Sequence, residues 1–419
     1  MRILLLSHGL PPESLGGVEQ HVDGLARALV AAGHQVHVVA RADLPGQPQG
    51  AREDRAGNPA VTRLAYRWEG VDTLAKSYLC APMADVLRTF LAERSAAGER
   101  FDVAHVHHLI GLSTDAVGVL VDAGIPTVLT AHDYWLFCPR GQMFHRREEV
   151  CTVAEPTRCA ECLGTDLATV HDVQARARDV LARATRLVVP SARALPPFTA
   201  LGVPAERFTV VENGVDTDRL RELPLPAAGP GPLRIGYFGT IMPSKGLHVL
   251  IQALLALPPG AATLRIHGNA VPYHGDQSYP LRCLQRLRPG CGVSYHGPYG
   301  LDELPTLLAG IDVLAAPALW HESFGLTVRE ALAAARPVLV SRIGGLQDAV
   351  QDGQEGLVLP PGDVPAWTAA LAALAGDRAR VRRMASAARS RARGFAAMAE
   401  DLLRVYTAAK DPAPAHRTA

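Results

Sequence analysis

The sequence has no excess of charge of one sign. Its 419 residues include 42 basic and 41 acidic side chains, which gives a formal net charge of only +1. A protein that binds nucleic acid as its main partner uses a strongly basic surface to attract the phosphates, and this composition supplies no such field. We therefore expect no nucleic-acid partner.

Long apolar runs are also missing. No stretch approaches the roughly 18 consecutive apolar residues of a membrane-spanning helix, so we expect no transmembrane segment. The N-terminal apolar run that ends at Ser7 is short and carries one charge, whereas a signal peptide has a longer apolar core followed by a cleavage site. These absences predict a soluble, cytoplasmic protein whose first residues form a strand.

What the sequence does contain is a regular alternation of strand and helix patterns. Residues 18–32 show helical periodicity and end at Gly33, which suits a helix C-cap. Alternation of this kind predicts an α/β fold with parallel sheets covered by helices on both faces. The predicted strands are short segments rich in valine, isoleucine and leucine, at 2–7, 35–40, 102–107, 127–131, 186–190, 208–211, 233–238, 263–267, 293–296, 312–316, 337–340 and 356–359.

The length predicts two domains of about 200 residues each. Residues 223–232 are rich in proline and glycine, which suit neither helix nor strand, so a linker is predicted there. Ligands of open parallel sheets gather beyond the carboxyl ends of the strands, which places the expected active site in a cleft between two such domains. The predicted division is a first domain at 1–218, a linker at 219–232, a second domain at 233–394, a C-terminal helix at 395–410 and a disordered tail at 411–419.

The most informative motif holds two carboxylates, Glu322 and Glu330, separated by seven residues. A predicted strand precedes the motif and a predicted helix follows it, so backbone N–H groups at a helix N-terminus would face a ligand there. Such a terminus carries about half a positive charge and suits a phosphate. A solvated helix with two surface glutamates is the alternative for this spacing alone. The residues between the carboxylates that would form the loop and the first helical turn are Ser323, Phe324, Gly325, Leu326 and Thr327.

Together with motifs elsewhere, this block resembles the retaining nucleotide-sugar glycosyltransferases of family four. These enzymes have the glycosyltransferase-B fold, in which two Rossmann-like domains face each other across a cleft and a C-terminal helix crosses back to the first domain. The resemblance implies a nucleotide-diphosphate sugar as donor, UDP- or GDP-linked, and a hydroxyl-bearing acceptor. Its motifs run nearly end to end, at 11–19 (PPESLGGVE), 132–135 (HDYW), 213–216 (NGVD), 237–240 (YFGT), 245–246 (KG) and 322–330.

The same resemblance implies a role for each donor-side motif. Gly16 and Gly17 lie in a loop beside the diphosphate, where a side chain would block close approach of the ligand to the backbone. Lys245 neutralises the leaving diphosphate. The family commonly has an arginine five residues before this lysine, and here that position is Thr240. Either Lys245 and the helix N-terminus suffice, or another basic residue such as Arg342 supplies the charge.

The remaining roles concern the two sugars and the base. By resemblance, Glu330 binds the ribose hydroxyls, Glu322 lies near the donor sugar and His132 contacts the transferred sugar, so the expected catalytic set is His132, Lys245 and Glu322. A buried strand-end histidine without a ligand is the alternative for His132. The base is expected to meet Pro298 and Tyr299. The residues expected on the acceptor side are His107, His108, Asp133 and Tyr134.

Four of the seven cysteines lie within 25 residues, at Cys138, Cys151, Cys159 and Cys162. Stable disulfides are rare in the cytoplasm, and a closing C-x2-C pair is typical of thiolates that share one tetrahedral ion. A structural zinc ion is therefore the favoured hypothesis for these cysteines, with free thiols and disulfides as alternatives. No cofactor is expected for the transfer itself, because the diphosphate has a helix terminus and a lysine as partners. Asp216-Thr217-Asp218 resembles a metal-binding D-x-D motif but follows Asn213-Gly214-Val215 at the interdomain crossover, and it is interpreted as structural.

Several alternatives stay open at the level of sequence. A nucleotide-sugar epimerase or a phosphorylase of the same fold would use the same residues, and a sugar-nucleotide binding protein that has lost catalysis would keep part of them. The acceptor and the oligomeric state are not readable. The two segments expected to select the acceptor, 44–60 and 144–165, show no regular pattern.

Overall fold

A computed structural model describes residues 1–43, 50–66, 74–227, 229–273, 275–285, 287 and 290–411. The predicted tail beyond Asp411, part of the predicted acceptor segment (44–49) and Ala228 of the predicted linker lie outside these residues. The chain divides into two compact units. Unit 1 comprises Met1–Gly141, Thr152–Gly214 and the chain from Phe395 onward, and unit 2 comprises Gln142–Cys151 and Val215–Gly394.

Unit 1 is built on a sheet that has eight strands among the described residues, in the order β3-β4-β2-β1-β5-β6-β7-β8. All neighbouring pairs are parallel except β3 and β4, which are antiparallel. The strands are β1 (Arg2–Ser7), β2 (Gln35–Asp43), β3 (Gly50–Arg55), β4 (Ala60–Tyr66), β5 (Val103–Val106), β6 (Thr127–Thr130), β7 (Arg186–Val189) and β8 (Phe208–Val210). The α-helices are α1 (Gly17–Ala31), α2 (Leu74–Tyr78), α3 (Ala81–Ala96), α4 (Asp115–Asp122), α5 (Pro156–Leu163), α6 (Leu167–Arg183), α7 (Pro196–Ala200) and α15 (Phe395–Lys410).

The core of unit 1 lies between the sheet and two helices, α1 and α15. The central strands are buried apolar runs because helices cover both faces, as parallel sheets require. Gly24 in the middle of α1 has a packing reason, since a Cβ atom there would collide with the Phe395 ring. Tyr406 of α15 reaches His105 on β5, with its hydroxyl 2.7 Å from Nδ1. The C-terminal helix is therefore an integral part of unit 1.

Unit 2 is built on a parallel sheet with six strands among the described residues, in the order β11-β10-β9-β12-β13-β14. The strands are β9 (Leu233–Phe238), β10 (Ala262–His267), β11 (Val293–Tyr295), β12 (Val313–Ala316), β13 (Val338–Ser341) and β14 (Gly356–Leu359). The α-helices are α8 (Thr217–Arg221), α9 (Leu247–Leu255), α10 (Ser278–Leu284), α11 (Leu304–Ala309), α12 (Leu326–Ala333), α13 (Val364–Gly376) and α14 (Arg378–Ala388).

Each sheet has a point at which the strand order reverses. In unit 1 this point lies between β1 and β5, and in unit 2 it lies between β9 and β12. Helices leave opposite faces of the sheet there, so a crevice opens beyond the carboxyl ends of the two central strands. His107 directly follows β5, and the loops after β9 and β12 carry Lys245 and Glu322. The predicted site residues therefore lie where a doubly wound sheet binds ligands.

The prediction of two parallel α/β sheets is confirmed, but two elements were missed in segments expected to be irregular. Strand β3 (GAREDR) has no apolar run, because it pairs only with β4 at the sheet edge. Helix α5 shows standard caps, with the Glu155 carboxylate accepting from Thr157 and Arg158 N–H groups and Gly164 in the left-handed region. No helix among the described residues has the length and apolar character needed to cross a membrane.

Candidate active site

The loop after β12 ends at the N-terminus of α12, as the Glu322/Glu330 spacing predicted. Gly325 is the N-cap with φ +83°, and α12 begins at Leu326. A side chain at Gly325 would be strained by this φ, and its Cβ would press on Leu346. The first turn of α12, with its free N–H groups, therefore comes directly after a residue whose backbone conformation only glycine adopts easily.

Arg329 stabilises the loop after β12, and this role was not predicted from the sequence. Its buried guanidinium lies 4.0 Å from the centre of the Phe324 ring, donates to the Phe324 carbonyl, and donates to the Gly345 carbonyl at 3.1 Å. An arginine within a helix normally suggests a solvated face. The contact to Gly345 joins the loop after β12 to the loop after β13, so Arg329 positions the loop after β12.

A second contact fixes the backbone at Glu322. The Gly345 N–H donates to the Glu322 carbonyl at 2.7 Å. Gly344 has φ +52°, and a Cβ there would collide with the Glu322 backbone. The paired glycines thus permit two loops to approach more closely than other residues allow.

Lys245 and Glu322 form an ion pair, with Nζ 2.5 Å from Oε2. The ammonium also lies 5.0 Å from the centre of the Trp320 ring, within the range of a cation–π contact. Lys245 ends a 3-10 turn and lies two residues before α9, which begins at Leu247. Gly246 makes the approach possible, since a Cβ there would collide with the Pro317 carbonyl after β12.

Thr240 occupies the position of the arginine that the family commonly has. The Tyr237 hydroxyl donates to the Thr240 carbonyl at 2.8 Å, which anchors the turn after β9. Arg342, the candidate replacement for the missing charge, has an exposed side chain that donates to the Val358 carbonyl at 3.3 Å. Among the described contacts of unit 2, the basic side chain that pairs with Glu322 is Lys245.

Glu330 lies on α12 near Tyr299. Burial, followed by the nearby Asp216 carboxylate, raises the pKa of Glu330 to about 7. Burial and Glu330 raise the pKa of Tyr299 as well. The Tyr299 ring lies 5.7 Å from the Phe238 ring and 6.2 Å from the His267 ring, centre to centre. An aromatic surface therefore adjoins the carboxyl group expected to bind ribose, whereas Pro298 is exposed.

The corresponding edge of unit 1 is lined by buried histidines. His107 Nδ1 lies 3.1 Å from His132 Nε2, so one ring donates to the other. Burial, and then the neighbouring histidines, hold the pKa of both well below the usual range for histidine. Both imidazoles are therefore neutral at physiological pH. His21 on α1 completes this group, with its ring centre 4.6 Å from that of His132.

A histidine–carboxylate pair lies on the same edge. His108 Nε2 lies 3.5 Å from Asp133 Oδ2, and the Trp135 N–H donates to Asp133 Oδ1 at 2.8 Å. Burial acts against ionisation of Asp133, but His108 and the backbone N–H outweigh it and lower the pKa of its carboxyl group. The ring of His8, which follows β1, lies 4.5 Å from the ring of His108, centre to centre. The sequence analysis did not single out His8.

The predicted donor loop at Gly16 and Gly17 is shaped by Glu19. Gly16 is the N-cap of α1, and a Cβ there would collide with the Glu19 carboxylate. Burial opposes ionisation of Glu19, but hydrogen bonds from His8 and Ser14 outweigh it and lower the pKa to about 2. A side chain at position 16 would therefore displace the buried Glu19 carboxylate from this turn.

Tyr134 is a correction to the sequence analysis. Its side chain is fully buried, and its ring centre lies 6.1 Å from that of Phe137 and 5.9 Å from that of Phe198. Tyr134 is thus part of the core of unit 1 and not of the acceptor-side surface. By sequence alone, an aromatic residue that follows the end of a strand fits a core position and an acceptor-side position equally well.

The zinc hypothesis for the four clustered cysteines stays a prediction. All seven cysteines are recorded without a disulfide. Cys159 and Cys162 lie one turn apart on α5 and, with Cys138, belong to unit 1, whereas Cys151 belongs to unit 2. Within the described part of unit 1, the three sulfur atoms are not gathered within 4.8 Å of one another.

Comparison with known proteins adds an independent line of evidence. A family model described as Glycosyltransferase Family 4 matches residues 15–219, and one described as Glycosyl transferases group 1 matches residues 232–377. The chain is 30% identical to a glycogen synthase from Mycobacterium tuberculosis, over 98% of this chain and 95% of that protein. It is also 30% identical to a D-inositol 3-phosphate glycosyltransferase from Nocardia farcinica, over 94% of this chain and 85% of that protein.

The fold has a counterpart among solved structures. A sucrose-phosphate synthase from Thermosynechococcus elongatus matches with a TM-score of 0.73 at 21% identity, over 97% of this chain and 98% of that chain. This likeness and the two parallel α/β sheets confirm the glycosyltransferase-B fold. The family models and the curated relatives together span nearly the whole sequence. The chain belongs to glycosyltransferase family 4, and the protein is a glycosyltransferase.

Proposed function

We propose that the protein transfers a sugar from a nucleoside-diphosphate sugar to a hydroxyl group of its acceptor, with retention of configuration at the anomeric carbon. The observation that carries the proposal is the group of donor-side features at one edge of unit 2. There Lys245 pairs with Glu322 at 2.5 Å, directly before the loop that ends at the N-terminus of α12. An ammonium group and free backbone N–H groups are partners suited to a diphosphate.

Glu330 and the aromatic surface beside it extend the same proposal to the nucleoside. A carboxylate accepts hydrogen bonds from two neighbouring ribose hydroxyls. Tyr299, Phe238 and His267 lie within ring-contact distance of one another and offer apolar area for a base. The five residues along α12 from its N-cap, Gly325, to Glu330 suit a phosphate at the helix end and a ribose about one and a half turns away.

In the proposed reaction, the bond between the anomeric carbon and the phosphate oxygen breaks while a bond to the acceptor oxygen forms on the same face of the sugar. The acceptor proton passes to the departing phosphate oxygen. Lys245 and the N–H groups stabilise the negative charge that develops on the diphosphate. Glu322 supports this front-face route, because a carboxylate held by an ammonium group at 2.5 Å is a poor nucleophile. His132 is proposed to hydrogen-bond the transferred sugar.

The two relatives named above imply different acceptors. The Mycobacterium protein is named as a glycogen synthase and the Nocardia protein as an inositol phosphate glycosyltransferase, at the same 30% identity. We therefore propose only the shared chemistry, a hydroxyl group on a polar, sugar-like acceptor. Neutral imidazoles such as His107 and His132, which donate or accept one hydrogen bond at each nitrogen, suit such hydroxyls.

A donor panel tests the proposal. The protein is incubated with UDP-glucose, UDP-N-acetylglucosamine, ADP-glucose and GDP-mannose, together with a glucan oligosaccharide or inositol phosphate. Release of nucleoside diphosphate and an α-linked product, identified from the anomeric coupling in the proton NMR spectrum, is the expected result. A β-linked product would refute retention. An isomerised donor without nucleotide release, or a donor left intact by every combination, would contradict transfer.

A further inference from the structure

Three histidines converge in the interior of unit 1, and the proposed transfer uses only part of this group. His21 lies on α1, His107 directly follows β5, and His132 lies two residues after β6. One ring nitrogen of each residue lies within 4.8 Å of the nitrogens of the other two. Their side chains are buried, with exposed fractions of 3%, 1% and 8% respectively. Three elements of the fold thus bring three imidazoles to one point.

The group has polar atoms that lack partners. Both ring nitrogens of His21 and Nε2 of His107 are buried without a hydrogen-bond partner in the part of the chain that the structure describes. A buried polar atom without a hydrogen-bond partner destabilises a folded protein. Such atoms are uncommon in native proteins, and each needs a reason. His105, by contrast, lies beside the group but has both nitrogens engaged, with Tyr406 and with Thr130.

The protonation state leaves lone pairs available. Burial lowers the pKa of His21 to about 3, and burial and the neighbouring histidines hold those of His107 and His132 well below the usual range. All three rings are therefore neutral near pH 7. A neutral imidazole carries one nitrogen lone pair, which is the form that binds metals.

We propose that His21, His107 and His132 form a binding site for one divalent transition-metal ion of the Zn²⁺, Ni²⁺ or Co²⁺ type. Zinc–nitrogen distances of about 2.0–2.1 Å place the nitrogens of two tetrahedral ligands about 3.4 Å apart. His107 Nδ1 and His132 Nε2 lie 3.1 Å apart, close to this distance, and both bind one ion once the proton of the hydrogen bond between them has moved to another ring nitrogen. One nitrogen of each of the three rings lies within 4.8 Å of the other two, so the rings draw closer together when an ion binds.

The ligand set selects the class of ion. Three imidazoles without a carboxylate suit zinc, nickel, cobalt or copper, whereas magnesium and calcium prefer oxygen ligands. Three protein ligands leave a fourth position for water or for a hydroxyl group. His21 has no second partner among the described residues that orients its ring. Because such outer partners strengthen metal sites by about 10–100-fold, the affinity is expected to be moderate.

A metal ion bound at this site is expected to change the transfer activity, and this expectation rests on the proposed function. His132 is proposed to contact the transferred sugar, and a nitrogen bound to a metal is no longer available to a sugar hydroxyl. The ion is therefore expected to inhibit transfer in competition with the donor. The binding itself is independent of the transfer reaction, so it is measured without any substrate.

The test is a titration of the metal-free, full-length protein with Co²⁺, followed by visible absorption. The expected result is d–d bands from one ion held by nitrogen ligands, which give no sulfur-to-cobalt charge transfer of their own. His21→Gln is expected to weaken binding by at least about tenfold, and His171→Gln, an exposed histidine on α6, is expected to leave it unchanged. A cobalt spectrum that has charge-transfer bands and is unchanged as a whole in His21→Gln would assign the ion to cysteines and overturn the proposal.

A measurement on the unmodified protein covers the case in which His21→Gln does not fold. X-ray absorption of the zinc-loaded wild type is expected to show nitrogen neighbours with imidazole scattering, with or without sulfur from a separate cysteine site. A shell that contains only sulfur, or the absence of zinc binding, would refute the three-histidine site. Circular dichroism checks that each variant is folded before its metal titration is interpreted.

Discussion

The two units present contrasting edges beyond the carboxyl ends of their central strands. In unit 2 the edge is charged, with the Lys245–Glu322 ion pair and the Glu330 carboxyl group around the N-terminus of α12. In unit 1 much of the edge consists of neutral imidazoles, among them His107 and His132. The difference matches two kinds of ligand. Charged groups suit a diphosphate, and neutral donors and acceptors suit hydroxyl groups.

One physical cause acts on both edges with opposite signs. Burial disfavours the charged form of any group, so it lowers the pKa of a histidine and raises that of a carboxylic acid. His132 is pushed well below its ordinary range, while Glu330 is raised to about 7. The histidine is therefore neutral throughout the physiological range, and Glu330 changes its charge within that range. The pH dependence of activity is expected to come from unit 2.

The largest expected effect is that of Lys245→Ala. A charged hydrogen bond is worth about 1.5–3 kcal/mol, so turnover of the donor should fall by about 10–100-fold. Steady-state kinetics with a saturating acceptor measures this. Lys410→Ala is the matched control, because Lys410 also pairs with a carboxylate, Asp102, at 3.1 Å but lies on α15 of unit 1. Normal turnover in Lys245→Ala, or an equal loss in both variants, would contradict a charged donor edge.

Glu330→Gln should raise the KM for the donor by about tenfold, because the ribose loses a charged acceptor. In the wild type, the carboxylate is present above pH 7 and is protonated below it, so kcat/KM for the donor should fall as the pH decreases through about 7. The glutamine variant should lack this acid limb. A profile that keeps the same limb in Glu330→Gln would assign it to another group.

The same variant has a predicted effect on stability. The pKa of Glu330 is raised to about 7 in the folded protein, above its value of about 4.5 when exposed. Its contribution to stability is therefore fully present below pH 4.5 and is lost as the pH rises through about 7. Glu330→Gln should raise the melting temperature at pH 8 by about 2–4 °C, which corresponds to about 1 kcal/mol. A lower melting temperature at pH 8 would contradict the raised pKa.

His132→Ala should have a smaller effect on transfer than either change in unit 2. A neutral hydrogen bond contributes about 0.5–1.5 kcal/mol, which corresponds to a loss of about two- to tenfold in kcat/KM. The shape of the pH profile should not change, because His132 stays neutral. His171→Ala on the exposed face of α6 is the control. If the pH profile of the wild type has a limb with a histidine-like pKa and only His132→Ala lacks it, then His132 titrates and the expectation is wrong.

Chelation is expected to have the smallest effect. The proposed partners of the diphosphate are Lys245 and backbone N–H groups, so activity should persist in EDTA without added divalent metal. If the three-histidine site of unit 1 is occupied after purification, EDTA should raise activity rather than lower it. Complete inactivation by EDTA that magnesium or manganese reverses would indicate that unit 2 needs an ion to hold the diphosphate.

The sequence predicted the sheets of both units well, because buried parallel strands are apolar runs with clear ends. The bounds of β1, β9 and β14 match the predicted ones. It missed the edge strand β3 and its partner β4, and it missed α5, whose caps carry a signal that its composition does not. Local patterns predict elements that have their own apolar periodicity and miss elements that are defined by a neighbour.

The site was predictable where a motif fixes the backbone and less so where distant residues meet. The turn at Gly325 followed from its spacing to Glu322 and Glu330. The Arg329 contacts to Phe324 and Gly345 did not, because they depend on two loops packing together. His21 was missed for the same reason, since α1 brings it to β5 and β6 from over 80 residues away.

Hydrogen–deuterium exchange in the presence of a nucleoside diphosphate tests most directly whether unit 2 holds the donor. UDP and GDP are each added to the full-length protein, and exchange is followed by mass spectrometry of peptides from both units. The account predicts slower exchange in the peptides that contain Lys245 and the 322–330 segment, with a loss of this protection in Lys245→Ala. Peptides that contain His107 and His132 should change little. Protection confined to those unit 1 peptides, with no change around 322–330, would contradict the account.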